Sequence, residues 1–181
     1  MGGIKFAIAP LVILLLIILP TRAMGTATNV GLDASLGFRL DGNLVAFGVF
    51  ESNQGNTDLN GDGDAFDFVL HVFDEARGAT TNVGLDASLG FQLDGNLVAI
   101  GVSESNQGNT DLNGDGDTGD FVLHVFDKAR GATMNVGLDA GKFRLDGNLV
   151  AFGVTESNQG NTDLNGDGDT NDTVLHVFDG K

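Results

Sequence analysis

Phe68-Val69-Leu70-His71-Val72-Phe73-Asp74 returns unchanged as Phe121–Asp127 and, with threonine in its first position, as Thr173–Asp179. Read with a period of two, one face of the segment carries Phe68, Leu70 and Val72 and the other carries Val69, His71 and Phe73. Strands that are apolar on both faces are covered on both sides. Working outward, Leu44–Phe50 and Phe38–Leu40 alternate in the same way, and Asp41-Gly42 before Asn43 is a hairpin signal, because glycine accepts the positive φ of a tight turn. Glu75-Ala76-Arg77-Gly78 is a looser turn. A first strand around Thr28–Leu32 completes four short strands per unit. Nothing after residue 25 has the period of a helix of useful length.

The unit is said three times. Residues 28–80 and 81–133 align without a gap at a period of 53 and differ at six positions. The third copy, 134–181, has lost one residue where Ala34-Ser35-Leu36-Gly37 becomes Ala140-Gly141-Lys142. Fixed periods in this range mark solenoids, propellers or other tandem arrays. The segment before Phe38, Gly25 to Leu32, repeats the inter-unit sequence Gly78–Leu85, whereas Val174–Asp179 has no such segment after it. An unpaired first strand and an unpaired last strand therefore face each other. Pairing inside one molecule closes a ring, and pairing between molecules propagates head to tail.

Composition narrows the function. The chain has 181 residues with 9 Lys+Arg against 25 Asp+Glu, a net charge of −16, and no cysteine, tryptophan or tyrosine. Nucleic acid is excluded as a partner by the missing basic surface. Disulfide scaffolds, thiol catalysis and zinc-thiolate sites are excluded by the missing cysteines. At 41% hydrophobic residues with 13 Phe, a packed core is expected despite the acidity. Lys5, an apolar run from Phe6 to Pro20 and the small residues of Thr21-Arg22-Ala23-Met24-Gly25 read as a secretory signal peptide over residues 1–25. Fifteen apolar residues span only about 22 Å as a helix, short of a hydrocarbon core of about 30 Å. Contact with a membrane is expected only through an uncleaved signal. Loss of Lys5 and Arg22 leaves 7 basic and 25 acidic residues over 26–181, net −18. The protein is expected to be secreted or held at the cell surface.

The chemistry is concentrated in one acidic loop per unit. Its oxygen-bearing side chains are Asp58, Asn60, Asp62, Asp64 and Asp67, then Asp111, Asn113, Asp115, Asp117 and Asp120, then Asp163, Asn165, Asp167, Asp169 and Asp172. They stand at loop positions 1, 3, 5, 7 and 10, with glycine at 4 and 6. Alternate residues of a curled loop aim their oxygens at one centre, which suits Ca²⁺ with its six to eight oxygen ligands. One Ca²⁺ per repeat is expected. The first six positions match the start of an EF-hand loop, but its ligand glutamate at position 12 is here Val69, Val122 or Val174, and there are no flanking helices. Glu51, Glu104 and Glu156 lead into the loops and either close the coordination sphere or are plain solvated acids. His71, His124 and His176 share one strand position and read as satisfied histidines rather than as ligands of a central metal.

Asp-Leu-Asn-Gly-Asp-Gly, followed by an acid and an apolar strand, resembles the calcium hairpin of the FG-GAP repeats of integrin α-subunit propellers and their bacterial relatives. The last acidic ligand of that family lies at position 9, and here Asp67, Asp120 and Asp172 lie at position 10. Leu40-Asp41-Gly42-Asn43-Leu44-Val45-Ala46-Phe47 is similar to a TolB-type propeller blade. The resemblance implies propeller-like blades with calcium loops between adjacent strands. Three blades are fewer than the usual four to eight, so a β-trefoil-like three-fold closure and a β-solenoid stand as alternatives.

The resulting expectation is an all-β protein of three tandem four-stranded antiparallel units: a secreted, non-catalytic calcium-binding protein serving adhesion, surface coating or extracellular assembly, filaments included. Self-association through the first and last strands, or a surface protein or glycan, would supply the partner. A calcium-stabilised carbohydrate-active propeller enzyme or carbohydrate-binding module is the alternative. It is weakened because every candidate residue recurs three times, whereas catalytic sites are built once from unlike residues.

Overall fold

The computed structural model describes residues 25–181. The signal-peptide expectation lies outside the described residues except for Gly25. Eleven strands form three separate antiparallel sheets among the described residues. The first sheet has the order β1 (Phe38–Asp41), β2 (Leu44–Phe50), β3 (Phe68–Asp74), β4 (Ala79–Asp86). The second repeats it with β5 (Phe91–Asp94), β6 (Leu97–Ser103), β7 (Phe121–Asp127) and β8 (Ala132–Asp139). The third has β9 (Lys142–Asp146), β10 (Leu149–Thr155) and β11 (Thr173–Asp179). Among the described residues the only helical elements are short 3₁₀ turns at Glu51–Gln54 and Glu156–Asn158. No described helix is long and apolar enough to cross a membrane.

The sheets differ from the sequence repeat in phase. The segment expected to open each unit instead closes the sheet before it: β4 pairs with β3, Thr81 facing Val72, and β8 pairs with β7, Met134 facing Val125. The looser turn explains this, because a hairpin through residues 75–78 returns the chain directly onto β3. The matching stretch Thr28–Leu32 was expected to be a strand of the first unit and is not one, since no sheet precedes it among the described residues. The turn between β1 and β2 has two residues, Gly42 and Asn43, with Asp41 facing Leu44. The positive φ of 52° falls on Gly42 rather than on Asp41, which remains in the strand.

The both-sides-covered reading of the central strand is met by stacking. Leu44, Ala46, Leu70 and Val72 of the first sheet pack with Phe91, Val98, Ile100, Val102 and Phe126 of the second. From its other face the second sheet sends Leu97, Ala99, Leu123 and Val125 against Phe143, Val150, Phe152 and Val154 of the third. The outer face of the first sheet is covered in part by its own loops, Phe47, Val49 and Phe73 being joined by Leu32 and Leu59. The sheets stay distinct and close no barrel. A shared three-fold barrel of the trefoil kind is therefore absent from the described residues, as is the parallel pairing of a β-helical solenoid.

Position in the stack, rather than residue type, sets burial. Leu70 and Leu123 are 0% exposed, and their counterpart Leu175 is 73% exposed. Leu123→Ala is expected to lower unfolding stability by about 2–5 kcal/mol through the cavity it leaves. Leu175→Ala in dilute protein should change it by less than about 0.5 kcal/mol. Chemical denaturation of the two variants checks the stacking; equal losses would contradict it.

Candidate metal sites

The acidic loops join β2 to β3, β6 to β7 and β10 to β11, and their curl is fixed locally. Asp58 accepts hydrogen bonds from the amides of Gly61 (2.6 Å) and Gly63 (3.1 Å). Asn60, Asp62 and Asp64 each accept from the amide two residues on, at 3.2, 3.1 and 2.9 Å. The turns require positive φ at Gly61 (83°) and Gly63 (105°), a conformation in which a Cβ is strained. The second and third loops repeat the pattern, Asp111 and Asp163 taking the place of Asp58. Position-1 aspartates thus spend both oxygens on the backbone of their own loop.

The carboxylates brought together are those at positions 7 and 10, joined by a residue from the end of the preceding strand. Oxygens of Glu51, Asp64 and Asp67 lie within 4.8 Å of one another, as do those of Glu104, Asp117 and Asp120 and those of Glu156, Asp169 and Asp172. One such triad per unit can hold a metal ion. Asp67 and Asp120, at the shifted position 10, are inside the cluster. Asn60 and Asn113 border it, donating to Asp67 (3.3 Å) and Asp120 (3.4 Å), and Asn165 donates to Asp172 at 2.8 Å. Asp62, Asp115 and Asp167 are not in the triads, and their Oδ1 atoms hold the loop backbone.

Glu51, Glu104 and Glu156 are fully buried and are not solvated acids. Glu51 accepts from the amides of Leu59 and Asp67, so one carboxylate ties both ends of the loop to the strand. Glu104 and Glu156 do the same with Leu112 and Asp120, and with Leu164 and Asp172. Among the described residues the ion pairs are made by other acids, and none reaches a triad. The glutamates could be singled out in the sequence only by their place at the end of the central strand.

The next repeat covers the first two sites. The Asn60 amide donates to the Asn106 carbonyl at 2.9 Å and the Asn113 amide to the Asn158 carbonyl at 3.0 Å. Asp67 and Asp120 are buried there, while Asp172 is partly exposed. Burial, the hydrogen-bonded Asp62 carboxyl and the charges of Asp62, Asp86 and Asp64 push Asp67 up to about 7. Burial and the charges of Asp115, Asp117, Asp139 and Glu104 push Asp120 to about 7 as well. At Asp172 the Asn165 hydrogen bond acts downward, but the Asp167 carboxyl, desolvation and the Asp169 charge together outweigh it and the net shift is upward.

The histidines take no part. Nδ1 of His71, His124 and His176 lies 3.1–3.2 Å from the carbonyl two residues back, and burial holds His71 and His124 below the usual imidazole range.

No family model matches the chain, and no curated protein matches it. Among solved structures, a crystal structure of the computationally designed Ika8 protein is similar over 66% of this chain and 30% of that one, at 12% identity and a TM-score of 0.36. The chain thus spans less than a third of that designed protein, and at this level the likeness transfers neither fold nor function.

The raised carboxyls give a signed pH effect for the ion-free protein. With Asp67 and Asp120 near 7 in the folded state against 3.8 in the unfolded one, the folded state binds more protons between those values. In chelator the melting temperature should fall as pH rises from 5 to 8, and saturating Ca²⁺ should flatten the slope by replacing the protons. Melting curves at four pH values, with and without the ion, test this; a chelated protein that gains stability over the same range would refute it.

Proposed function

We propose that this protein is a secreted, non-catalytic calcium-binding repeat protein that works at the cell surface or in the extracellular space, in adhesion, surface coating or assembly, with its three sheets acting as propeller-like blades. The observation that carries the reading is the threefold recurrence of a carboxylate triad with a fully buried glutamate and no positively charged partner among the described residues. Removing charge from water without a counter-charge is costly, and a divalent cation removes that cost in all three places at once. The donor set is carboxylate and amide oxygen, which suits hard ions, and the flexible ligand number of Ca²⁺ tolerates an irregular loop better than the strict octahedron of Mg²⁺.

The role of the ion in this reading is structural. Extracellular calcium modules bind with dissociation constants of about 10⁻⁴ to 10⁻³ M. At ten times that concentration each independent site adds about 1.4 kcal/mol, so three sites contribute a large share of a domain's net stability. The charge of the 26–181 region would fall from −18 to −12. A surface glycan or protein remains the class of ligand that an adhesive function needs.

Equilibrium dialysis of the purified protein should give about three Ca²⁺ per chain, and millimolar Ca²⁺ should raise the melting temperature more than Mg²⁺ does. Asp117→Asn should remove one ion and roughly one third of the Ca²⁺-dependent gain. An unchanged melting curve with and without chelator would overturn the proposal.

A further inference from the structure

The outer edge of β11 has no partner strand among the described residues, although both of its counterparts have one: β3 is paired by β4 and β7 by β8. The sequence that supplies β4 and β8 occurs once more. Thr26–Asp33 reads TATNVGLD, against ATTNVGLD in β4 and ATMNVGLD in β8. This third version pairs with no strand among the described residues, yet its second half already has the conformation of the other two. The Gly31 amide donates to Asn29 Oδ1 at 2.9 Å, as Gly84 does to Asn82 (2.8 Å) and Gly137 to Asn135 (2.7 Å). The three glycines share φ values of 76°, 74° and 71°.

Its far end is anchored in the same way. Asp33 accepts from the Phe50 amide at 3.0 Å and donates its own amide to Gln54. Asp86 does this with Ser103 and Gln107, and Asp139 with Thr155 and Gln159. In β4 and β8 this aspartate is where the strand leaves one sheet and enters the next. Thr26–Leu32 therefore stands ready to close a preceding sheet.

The faces at the two ends of the stack are complementary. Leu175 and Val177 are 73% and 61% exposed, but the residues at these positions in the first two sheets are fully buried. Phe38 is 66% exposed, and its counterpart Phe91 is 6% exposed. At the first internal junction Phe91 packs with Leu70 and Val72, and at the second Phe143 packs with Leu123 and Val125. The next junction in this series sets Phe38 against Leu175 and Val177. Polar contacts extend likewise: Asp41 accepts from the Gly95 amide and Asp94 from the Gly147 amide, which leaves Asp146 for the Gly42 amide.

We propose that two copies of this chain join head to tail, residues 26–33 of one copy adding to β11 of the other as its fourth strand, with Thr28 facing Val177. The contact is a third instance of a junction formed twice within the chain, and it is heterologous. Each dimer keeps one free end of either kind, and growth continues until a ring closes or a fibre results. The inference deepens the assembly part of the proposed function and rests on it there, while strand pairing does not require the ion.

The protein has no cysteine, so an introduced pair reports the register alone. Facing residues of antiparallel strands lie about 4.5–5.5 Å apart at Cα, within disulfide reach. The full chain carrying Thr28→Cys and Val177→Cys should form, on mild oxidation, a ladder of covalent multimers that collapses in reductant. Thr28→Cys with Phe178→Cys, one residue out of register, should form at least tenfold less. Both sites of the first pair are exposed or lie outside strand pairing, so folding is spared. Leu175→Asp added to the first pair should abolish the ladder. A chain that stays monomeric, a bond closed within one chain, or equal ladders from both pairs would each overturn the proposal. The oxidation is run in calcium and in chelator. A ladder in both, with a melting temperature indifferent to Ca²⁺, retires the calcium reading and leaves the junction standing. A Ca²⁺-dependent melting temperature without a ladder does the reverse.

Discussion

A central strand that is apolar on both faces needs a sheet on each side, and the rest of the architecture depends on that constraint. Val69 to Phe73 and Val122 to Phe126 send side chains alternately up and down, with no polar face to leave in water. One sheet of this kind cannot bury itself. Two leave two apolar outer faces, and a third sheet moves the deficit along without removing it. In this protein the deficit is visible at the last sheet, where the same residue types that are buried in β3 and β7 lie open in β11. The first sheet eases its own deficit by folding Leu32 and Leu59 across Phe47 and Phe73.

The acids belong to the same arrangement. The loops of the first two sheets leave between the two central strands and are roofed by the following repeat, through Asn60 to Asn106 and Asn113 to Asn158. Stacking thus buries carboxylates along with leucines. A buried Asp67 or Asp120 beside Glu51 or Glu104 raises the free energy of the junction unless a proton or a cation intervenes, and the upward shift of both aspartates is the proton's share of that compensation. Packing between repeats and charge within loops are therefore coupled.

Much of this was legible in the sequence. The repeat, the antiparallel strands and the hairpins followed from alternation and turn residues, and the loop curl followed from glycine at positions 4 and 6. Which strand pairs with which did not follow. Thr81–Leu85 has the same pattern whether it opens one sheet or closes another, and only the 75–78 hairpin returning onto β3 decides it. The carboxylate grouping was partly legible: Asp64 and Asp67 lie together with Glu51, whereas Asp58 turns inward on its own loop for a reason that lies in backbone amides rather than in side-chain spacing. Glu51 was ambiguous because burial, which depends on the neighbouring sheet, separates a structural acid from a solvated one.

Near-identical repeats make the chain its own control, since differences between copies with the same residues report the neighbour and nothing else. Asp33, Asp86 and Asp139 accept from the amide of the last residue of β2, β6 and β10, at 3.0, 3.2 and 2.9 Å. Hydrogen bonds from Ser35, Phe50 and Asn53 overcome the slight burial of Asp33 and hold it down to about 2. Burial drives Asp86 upward despite equivalent hydrogen bonds from Ser88, Ser103 and Asn106, and Asp139 upward despite those from Thr155, Asn158 and Ala140. What separates Asp33 from Asp86, whose partners are equivalent, is the preceding sheet, present above Asp86 and absent above Asp33 among the described residues. A charge that is at ease at one end of the stack is strained in its middle, so each added repeat must bring enough apolar contact to outweigh the carboxylates it covers. The unit meets that demand with Phe91 against Leu70 at one junction and Phe143 against Leu123 at the next.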